Sequence, residues 1–401
     1  MSNGTVIKLP WNSAVSGILW VLRFAVGLLF IFSGLIKAND PLGFGYKLHD
    51  YYEVFGSGRY PLLSWMDNAL FTSTTTETAM FICILEVALG VALIIGFWPR
   101  FVSWIMLLMI IFFTFLTGFS HYTGEVQECG CFGDAIPLTA KQSYIKDIIL
   151  LVVIVFIFLY RSRITALFRK TPSRVVMILA VIAPWVFTVW AVNHLPFRDF
   201  RAYKVGNDLC ALKALPPDAK KTIYESTLVY NYAPTSEQRE FSMEDFTREN
   251  IGYDTNWVFV ETRNKLIQMG DRPKVNLIIR DQDQTDVTDA ILQDPSWKFF
   301  LVAYDIDHTS RKRWKKINAL QEMSEAAGFL WYGLSSSGES KVEEFRHEVQ
   351  IPIEFYTADA TELKTIIRSN PGLVLMKGCV VKGQWHWRDV PGWERVQRMT
   401  Q

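Results

Sequence analysis

The sequence predicts an all-α membrane helix bundle followed by an α/β soluble domain. Three observations carry this reading. Half of the 401 residues are hydrophobic, yet the long apolar runs all lie in the first half. The second half alternates charged and apolar residues as a water-soluble chain does. From Trp297 onward, short β-type runs alternate with helical spacings, the signature of an α/β layer.

A helix crossing roughly 30 Å of hydrocarbon needs roughly 20 apolar residues. Five segments meet this: Val15–Ile36, Ala79–Phe97, Phe101–Phe119, Ile145–Tyr160 and Val175–Val192. The fourth is short unless Lys146 and Asp147 lie at the membrane rim. The fifth contains Pro184, which membrane helices tolerate as a kink. The first run is too long for a signal-peptide core and is read as a retained anchor. Between spans four and five, Arg161, Arg163, Arg169, Lys170 and Arg174 occur without an acid, and Arg100 follows span two. The positive-inside rule sets both turns on the cytoplasmic side. The N-terminus is then cytoplasmic, and the chain beyond about Asn193 lies outside the cytoplasm.

Beyond the fifth span, Pro216-Pro217 marks a linker. Short strands are expected at Ser226–Tyr232, Trp257–Val260, Lys265–Met269 and Val275–Arg280, with a turn at Ala233–Gln238. Further on, Phe299–Ile306 reads as a buried strand, Arg311–Ala327 as a helix and Phe329–Ser335 as a strand. Glu339–Val349 is helical, Ile353–Tyr356 extended and Ala360–Ser369 helical. Leu373–Met376 and Val380–Trp387 close the chain as a hairpin. Trp385, Trp387 and Trp393 either pack this domain or meet a partner. The domain layout is 1–160 bundle, 161–195 basic linker and fifth span, 196–270 juxtamembrane linker and hairpins, and 271–401 soluble domain.

Arg23 and Glu86 lie inside apolar helices, where an unpaired charge costs at least about 2.5–3.5 kcal/mol. Counted from the cytoplasmic end, they lie roughly 12–14 Å and roughly 16 Å deep, so they are expected to pair. Two readings stand: a structural pair that fixes helix register, or a proton or quinone-headgroup site. Cys83, one turn before Glu86, reads as a small hydrophobe.

Cys129-Gly130-Cys131 occupies a polar loop between spans three and four. A close thiol pair suits disulfide exchange, one sulfur attacking and the other resolving the mixed intermediate. A structural disulfide and half of a metal site are the alternatives; one pair supplies two of the four ligands that structural zinc takes, and no metal is assigned. By the topology above, this loop lies on the same outer side as the soluble domain. Cys210 lies close enough beyond span five to reach the rim, and Cys379, at a hairpin tip, reads as incidental.

Several of these residues together resemble the MauE/DoxX-like membrane proteins over about residues 14–160. They are Arg23 and Gly27, the run Phe30-Ile31-Phe32-Ser33-Gly34-Leu35-Ile36-Lys37, then Glu86 and Gly90, and finally Cys129-Gly130-Cys131-Phe132-Gly133-Asp134. The resemblance implies a four-helix core, with the fifth span an added tether. It implies a redox or maturation setting: MauE-like proteins are associated with maturing methylamine dehydrogenase, DoxX-like ones with sulfur-compound and quinone oxidation. No residue of this chain points to methylamine as a substrate. Residues 270–395 resemble the thioredoxin-like fold of periplasmic TlpA-type proteins, with Asn370-Pro371 at the position of its cis-proline. Its active-site Cys-x-x-Cys is replaced by Asp305-Ile306-Asp307-His308-Thr309-Ser310.

A formal charge of +1 argues against nucleic acid, and five cysteines are too few for a disulfide scaffold. The sequence also lacks a Gly-rich nucleotide loop. The expectation is a thiol–disulfide redox or maturation factor in a bacterial inner membrane. Cys129 and Cys131 act on an exported client that the thioredoxin-like domain recognises, and quinone is the candidate electron acceptor. Membrane lipid is the other partner, and the oligomeric state is open. The competing class is a non-enzymatic envelope scaffold with a structural Cys-Gly-Cys loop.

Overall fold

The computed structural model describes residues 13–61, 73–126, 133–215, 218–220, 223–235, 237–268, 270–271 and 273–401. It divides into two compact units, Met1–Gly206 with Ile278–Gln401, and Asn207–Leu277. Residues 196–206, read from sequence as part of a linker, thus belong to the larger unit.

Helices α1 (Ser13–Asn39), α2 (Pro41–Gly56), α3 (Thr75–Ile95), α4 (Pro99–Thr123), α5 (Ala140–Leu159) and α6 (Lys170–Asn193) build the bundle. All but α2 are long and apolar enough to cross a membrane, five among the described residues. Their outward faces stay apolar: Val21, Leu28, Val152 and Val186 are exposed, as lipid contact requires. Helix α5 begins before the charges that shortened its expected span, because Thr139 and Gln142 form a capping box. Asp147 is consequently buried inside it, paired with Lys146. Pro184 lies within an unbroken α6.

Helices α1 and α3 pack closely because glycines remove side chains at the crossing. A Cβ on Gly90 would lie 2.5 Å from the Gly27 carbonyl oxygen, and one on Gly34 would lie 2.9 Å from that of Cys83. These contacts set the register of the two helices. Arg23 falls opposite the end of α3, while Glu86 falls nearer the end of α1.

Helix α2 was not anticipated. Asp40 caps it by accepting from the Gly43 amide at 2.9 Å, and Pro41 starts it where a missing N–H costs nothing. Phe44, Leu48, Tyr51, Tyr52 and Phe55 form its buried face.

The smaller unit contains the short helix α7 (Leu209–Lys213), β1 (Ile223–Tyr232), β2 (Glu237–Ser242), α8 (Met243–Arg248) and β3 (Trp257–Gln268). The sheet is antiparallel in the order β2-β1-β3, packed on Val229, Phe241 and Ile251. β3 runs continuously where two strands were expected, and a register shift beside Val229 absorbs the irregularity.

The soluble part of the larger unit runs α9 (Thr288–Gln293), β4 (Trp297–Val302), α10 (Trp314–Ala326), β5 (Leu330–Ser335) and α11 (Glu339–Val349). It continues with β6 (Phe355–Thr357), α12 (Ala360–Ile366), β7 (Gly372–Lys377), β8 (Val380–His386) and α13 (Trp393–Thr400). Its five-stranded sheet has the order β6-β5-β4-β7-β8. β4, β5 and β6 are parallel, and β7 and β8 antiparallel. β4 is buried on both faces from Phe299 to Val302, as a central strand demands. This strand order and these directions are those of the thioredoxin-like domain expected from the sequence, and the Asn370-Pro371 bond entering β7 is cis. Val275–Arg280, expected as a strand, is extended but forms only isolated bridges at Arg280. Trp385 joins the core and Trp393 packs against Phe329, which favours packing for these residues.

Candidate functional site

The two charged residues expected to pair within the membrane do not do so. Arg23 donates from Nε to the Leu93 carbonyl at 2.7 Å and from Nη2 to the Ile94 carbonyl at 2.6 Å. Its Nη1 reaches the Thr165 carbonyl at 3.0 Å. It therefore caps the C-terminal end of α3, where free carbonyls and the helix dipole favour a cation. Glu86 pairs instead with Lys37, whose Nζ donates to both carboxylate oxygens at 2.8 Å and to Ser33 Oγ at 2.7 Å. The rings of Phe44 and Phe113 flank the ammonium at 5.6 and 5.3 Å. Both charged side chains are almost fully buried. Lys37 closes the same first-helix run that carries the MauE/DoxX resemblance; its long side chain, not helix depth alone, decides the partner.

Cys129 and Cys131 lie outside the described residues. The segments flanking them are described. On one side, the buried Ser120 hydroxyl donates to the Val126 carbonyl. On the other, Gly133–Ala135 forms a 3-10 turn and presents Asp134 to the soluble domain. Arg368 Nη2 lies 3.9 Å from the Asp134 carboxylate. The same guanidinium donates through Nε to both oxygens of Asp40 at 3.0 Å and through Nη1 to the Lys364 carbonyl. Burial pushes the Asp40 carboxyl up, but Arg368, Arg201 and the Gly43 amide outweigh it and hold it below the usual carboxylate range.

This junction lines a cavity of about 30 Å³, room for a water or two. Lys37, Asp40, Lys47, Asp134, Arg201 and Arg368 are among its walls. Of the intramembrane pair, Lys37 lines this cavity and Glu86 does not.

The thioredoxin-like domain meets the bundle with the side that bears its cis-proline turn. Tyr304 and Tyr46 hydroxyls are 3.0 Å apart, and Lys364 lies 5.1 Å from the Tyr46 ring. Burial, with the neighbouring phenol, pushes the Tyr304 hydroxyl far up, so it stays protonated. Arg201, buried beyond α6, binds both oxygens of Asp199, the Ile366 carbonyl and Gln384. His194 Nδ1 contacts Asp389 at 2.7 Å.

The loop that replaces Cys-x-x-Cys is closed on itself. Asp305 accepts from the Asp307 and His308 amides and contacts the His308 ring at 2.8 Å. Thr309 Oγ1 donates to the Asp305 carbonyl at 2.6 Å, and Asn370 Nδ2 donates to the same carbonyl at 2.7 Å. The Ser310 amide donates to the Asn370 carbonyl at 3.0 Å. Hydroxyls, amides and carboxylates that cannot exchange sulfur fill this position. Cys83 is a buried free thiol, whereas Cys210 and Cys379 are each disulfide-bonded; the incidental reading of Cys379 is thus corrected. On α2, His49, Asp50 and Glu53 bring ligand-type atoms within 4.8 Å, a grouping common among exposed acids without a metal.

A helical bundle with a glycine-packed α1–α3 pair, joined to a thioredoxin-like domain without Cys-x-x-Cys, defines the class: a membrane protein carrying an α/β soluble domain. Residues 15–160 match the family described as Methylamine utilisation protein MauE. The chain is also similar to Protein TlpB of Flavobacterium psychrophilum, 26% identical over 153 residues. That match covers 36% of this chain and 37% of the relative, so the chain spans just over a third of the relative's length. No solved structure matches the chain.

Proposed function

We propose that this protein is a membrane thiol–disulfide redox or maturation factor acting on exported proteins. The observation that carries the reading is the Cys129-Gly130-Cys131 motif, in a MauE-type bundle, ending in an aspartate that reaches the thioredoxin-like domain. The basic loops support a cytoplasmic N-terminus, with the soluble domain on the far side of a bacterial inner membrane. Disulfide bonding of Cys210 and Cys379 supports an oxidising compartment for that domain.

In the forward reaction a client thiolate attacks the Cys129–Cys131 disulfide and forms a mixed disulfide. A second client thiolate displaces the loop sulfur, leaving a client disulfide and a loop dithiol. Re-forming the loop disulfide releases two electrons and two protons to a membrane quinone, which becomes quinol. The buried Lys37–Glu86 pair, whose lysine lines the rim cavity, is the proposed proton-handling group.

A Cys131→Ser variant cannot form the loop disulfide that client thiolates attack, so client oxidation should be lost; in the reverse direction, Cys129 attacking an oxidised client should be trapped as a mixed disulfide, recovered under non-reducing conditions, because no second loop thiol resolves it. Client oxidation at the unaltered rate would remove the reading. One observation favours the scaffold alternative: the thioredoxin-like domain has spent its own active-site loop on internal hydrogen bonds. In that case Cys131→Ser changes assembly of a partner complex and traps nothing.

A further inference from the structure

The end of the bundle where α6 begins carries charge of one sign. Arg100 lies in the first turn of α4, and Arg161, Arg163, Arg169, Lys170 and Arg174 follow between the end of α5 and the start of α6. Residues 87–124 and 148–198, which supply these helix ends, contain no Asp or Glu. Topology requires only that such charges stay on one side of the membrane, not that they be held in place. Here they are held. Arg23 Nη1 donates to the Thr165 carbonyl at 3.0 Å, and the Leu167 amide donates to the Ile95 carbonyl at 2.9 Å. The basic linker is thereby fastened to the last turn of α3, with Ile164 buried. Arg161 folds back over the end of α5. Its Nη1 donates to the Phe158 carbonyl at 2.6 Å, and its guanidinium lies 4.0 Å from the centre of the Phe158 ring. That ring meets Trp104 of α4 edge to face at 4.6 Å. Arg100 stands one turn before Trp104 on the same face of α4. The seam between α4 and α5 thus ends in arginines with aromatic rings below them, and Phe101 and Trp104 are more than half exposed.

We infer that this end of the α4–α5 seam binds an anionic phospholipid, its phosphate held by Arg100 and Arg161 and its acyl chain lying along Trp104 and Phe101. Guanidinium forks match phosphate oxygens, and indole rings suit the boundary between headgroups and hydrocarbon. Arg169, Lys170 and Arg174 add a field that favours an anionic headgroup over a zwitterionic one, whose own ammonium they repel. The inference rests on the helices crossing a membrane and is independent of the thiol chemistry.

The test is native mass spectrometry of the full-length protein in detergent micelles, titrated with phosphatidylglycerol or with phosphatidylcholine of the same acyl chains. Phosphatidylglycerol should bind more tightly. Arg100→Gln and Arg161→Gln should each weaken it about fivefold, the factor equivalent to about 1 kcal/mol per cation at an anionic surface. Arg100→Lys should keep most of the affinity. Lys141→Gln removes the same charge from the opposite end of α5 and should change nothing. Equal affinity for the two lipids would overturn the inference. Equal losses in Lys141→Gln and Arg100→Gln would overturn it too, because charge would then act without a site. Displacement of the lipid by an equal concentration of inorganic phosphate would do the same, since a free anion alone would then satisfy the arginines.

Discussion

Replacing Glu86 by Gln probes the membrane interior where the structure most changed the expected picture. Lys37 Nζ lies 2.8 Å from each Glu86 oxygen. At that separation and an effective dielectric of about 20, the attraction is roughly 6 kcal/mol before desolvation is counted. A glutamine amide keeps one acceptor for the ammonium but strands its charge, and breaking a buried pair from one side costs about 3–5 kcal/mol. Removing both charges, as in Lys37→Met with Glu86→Gln, should restore most of that loss because no lone ion remains. Unfolding of the purified chain by titration into a denaturing detergent gives the order: wild type and double variant close together, Glu86→Gln well below. A Glu86→Gln midpoint equal to wild type would refute the claim that the pair is sealed from water. Disulfide turnover, measured in parallel, separates the two roles. Turnover that returns with stability in the double variant marks a structural pair. Turnover that stays lost while stability returns marks Glu86 as part of the chemistry.

Two further outcomes follow from local geometry. Burial pushes the His386 imidazole down to about 4, against the opposing pull of Asp389. Its Nδ1 accepts the Arg388 amide at 3.1 Å and so must stay unprotonated. The unfolded chain binds a proton near 6.5, so stability should fall as pH drops from about 6.5 to about 4, by at most about 3 kcal/mol. His386→Gln should flatten that window in a pH series of thermal unfolding; an unchanged slope would show that other groups cause it. Gly90→Ala sets a Cβ 2.5 Å from the Gly27 carbonyl oxygen, a backbone atom that yields only if the helices part. It should cost about 1–3 kcal/mol in detergent unfolding, whereas Gly17→Ala, with nothing within 4 Å of its Cβ, should cost nothing. Equal behaviour of the two would contradict the glycine-set register.

The five spans and the strand–helix order of the soluble domain were legible because each rests on a long periodic pattern. Boundaries slipped where charge misled: Lys146 and Asp147 looked like a helix start but lie inside α5, since Asp147 finds its cation next door. Helix α2 went unread although its signals were present. Asp40-Pro41 is a helix start, and Phe44, Leu48, Tyr51, Tyr52 and Phe55 share a face. It is too short and mixed to register as a span, and no strand pattern competes with it. The Arg23–Glu86 pairing failed because depth counted from helix ends ignores register. Gly27 facing Gly90 puts Arg23 beside the last turn of α3, too far from Glu86. Lys37 was visible in the sequence as the last charge of α1, but only packing shows that it turns inward. The docking of the cis-proline side on α2 had no sequence signal, because Asp40 and Arg368 are far apart in the chain.

The central claim is that Cys129 and Cys131 cycle. The most direct measurement is their redox state in intact membranes, read by mass-tagged alkylation before and after a pulse of reduced, unfolded protein bearing free thiols. The account predicts a loop disulfide at rest, a dithiol soon after the pulse, and recovery of the disulfide once the membrane oxidant acts. Cysteines that hold one state throughout, while the added protein is oxidised at the rate seen in a Cys129→Ser, Cys131→Ser strain, would contradict it.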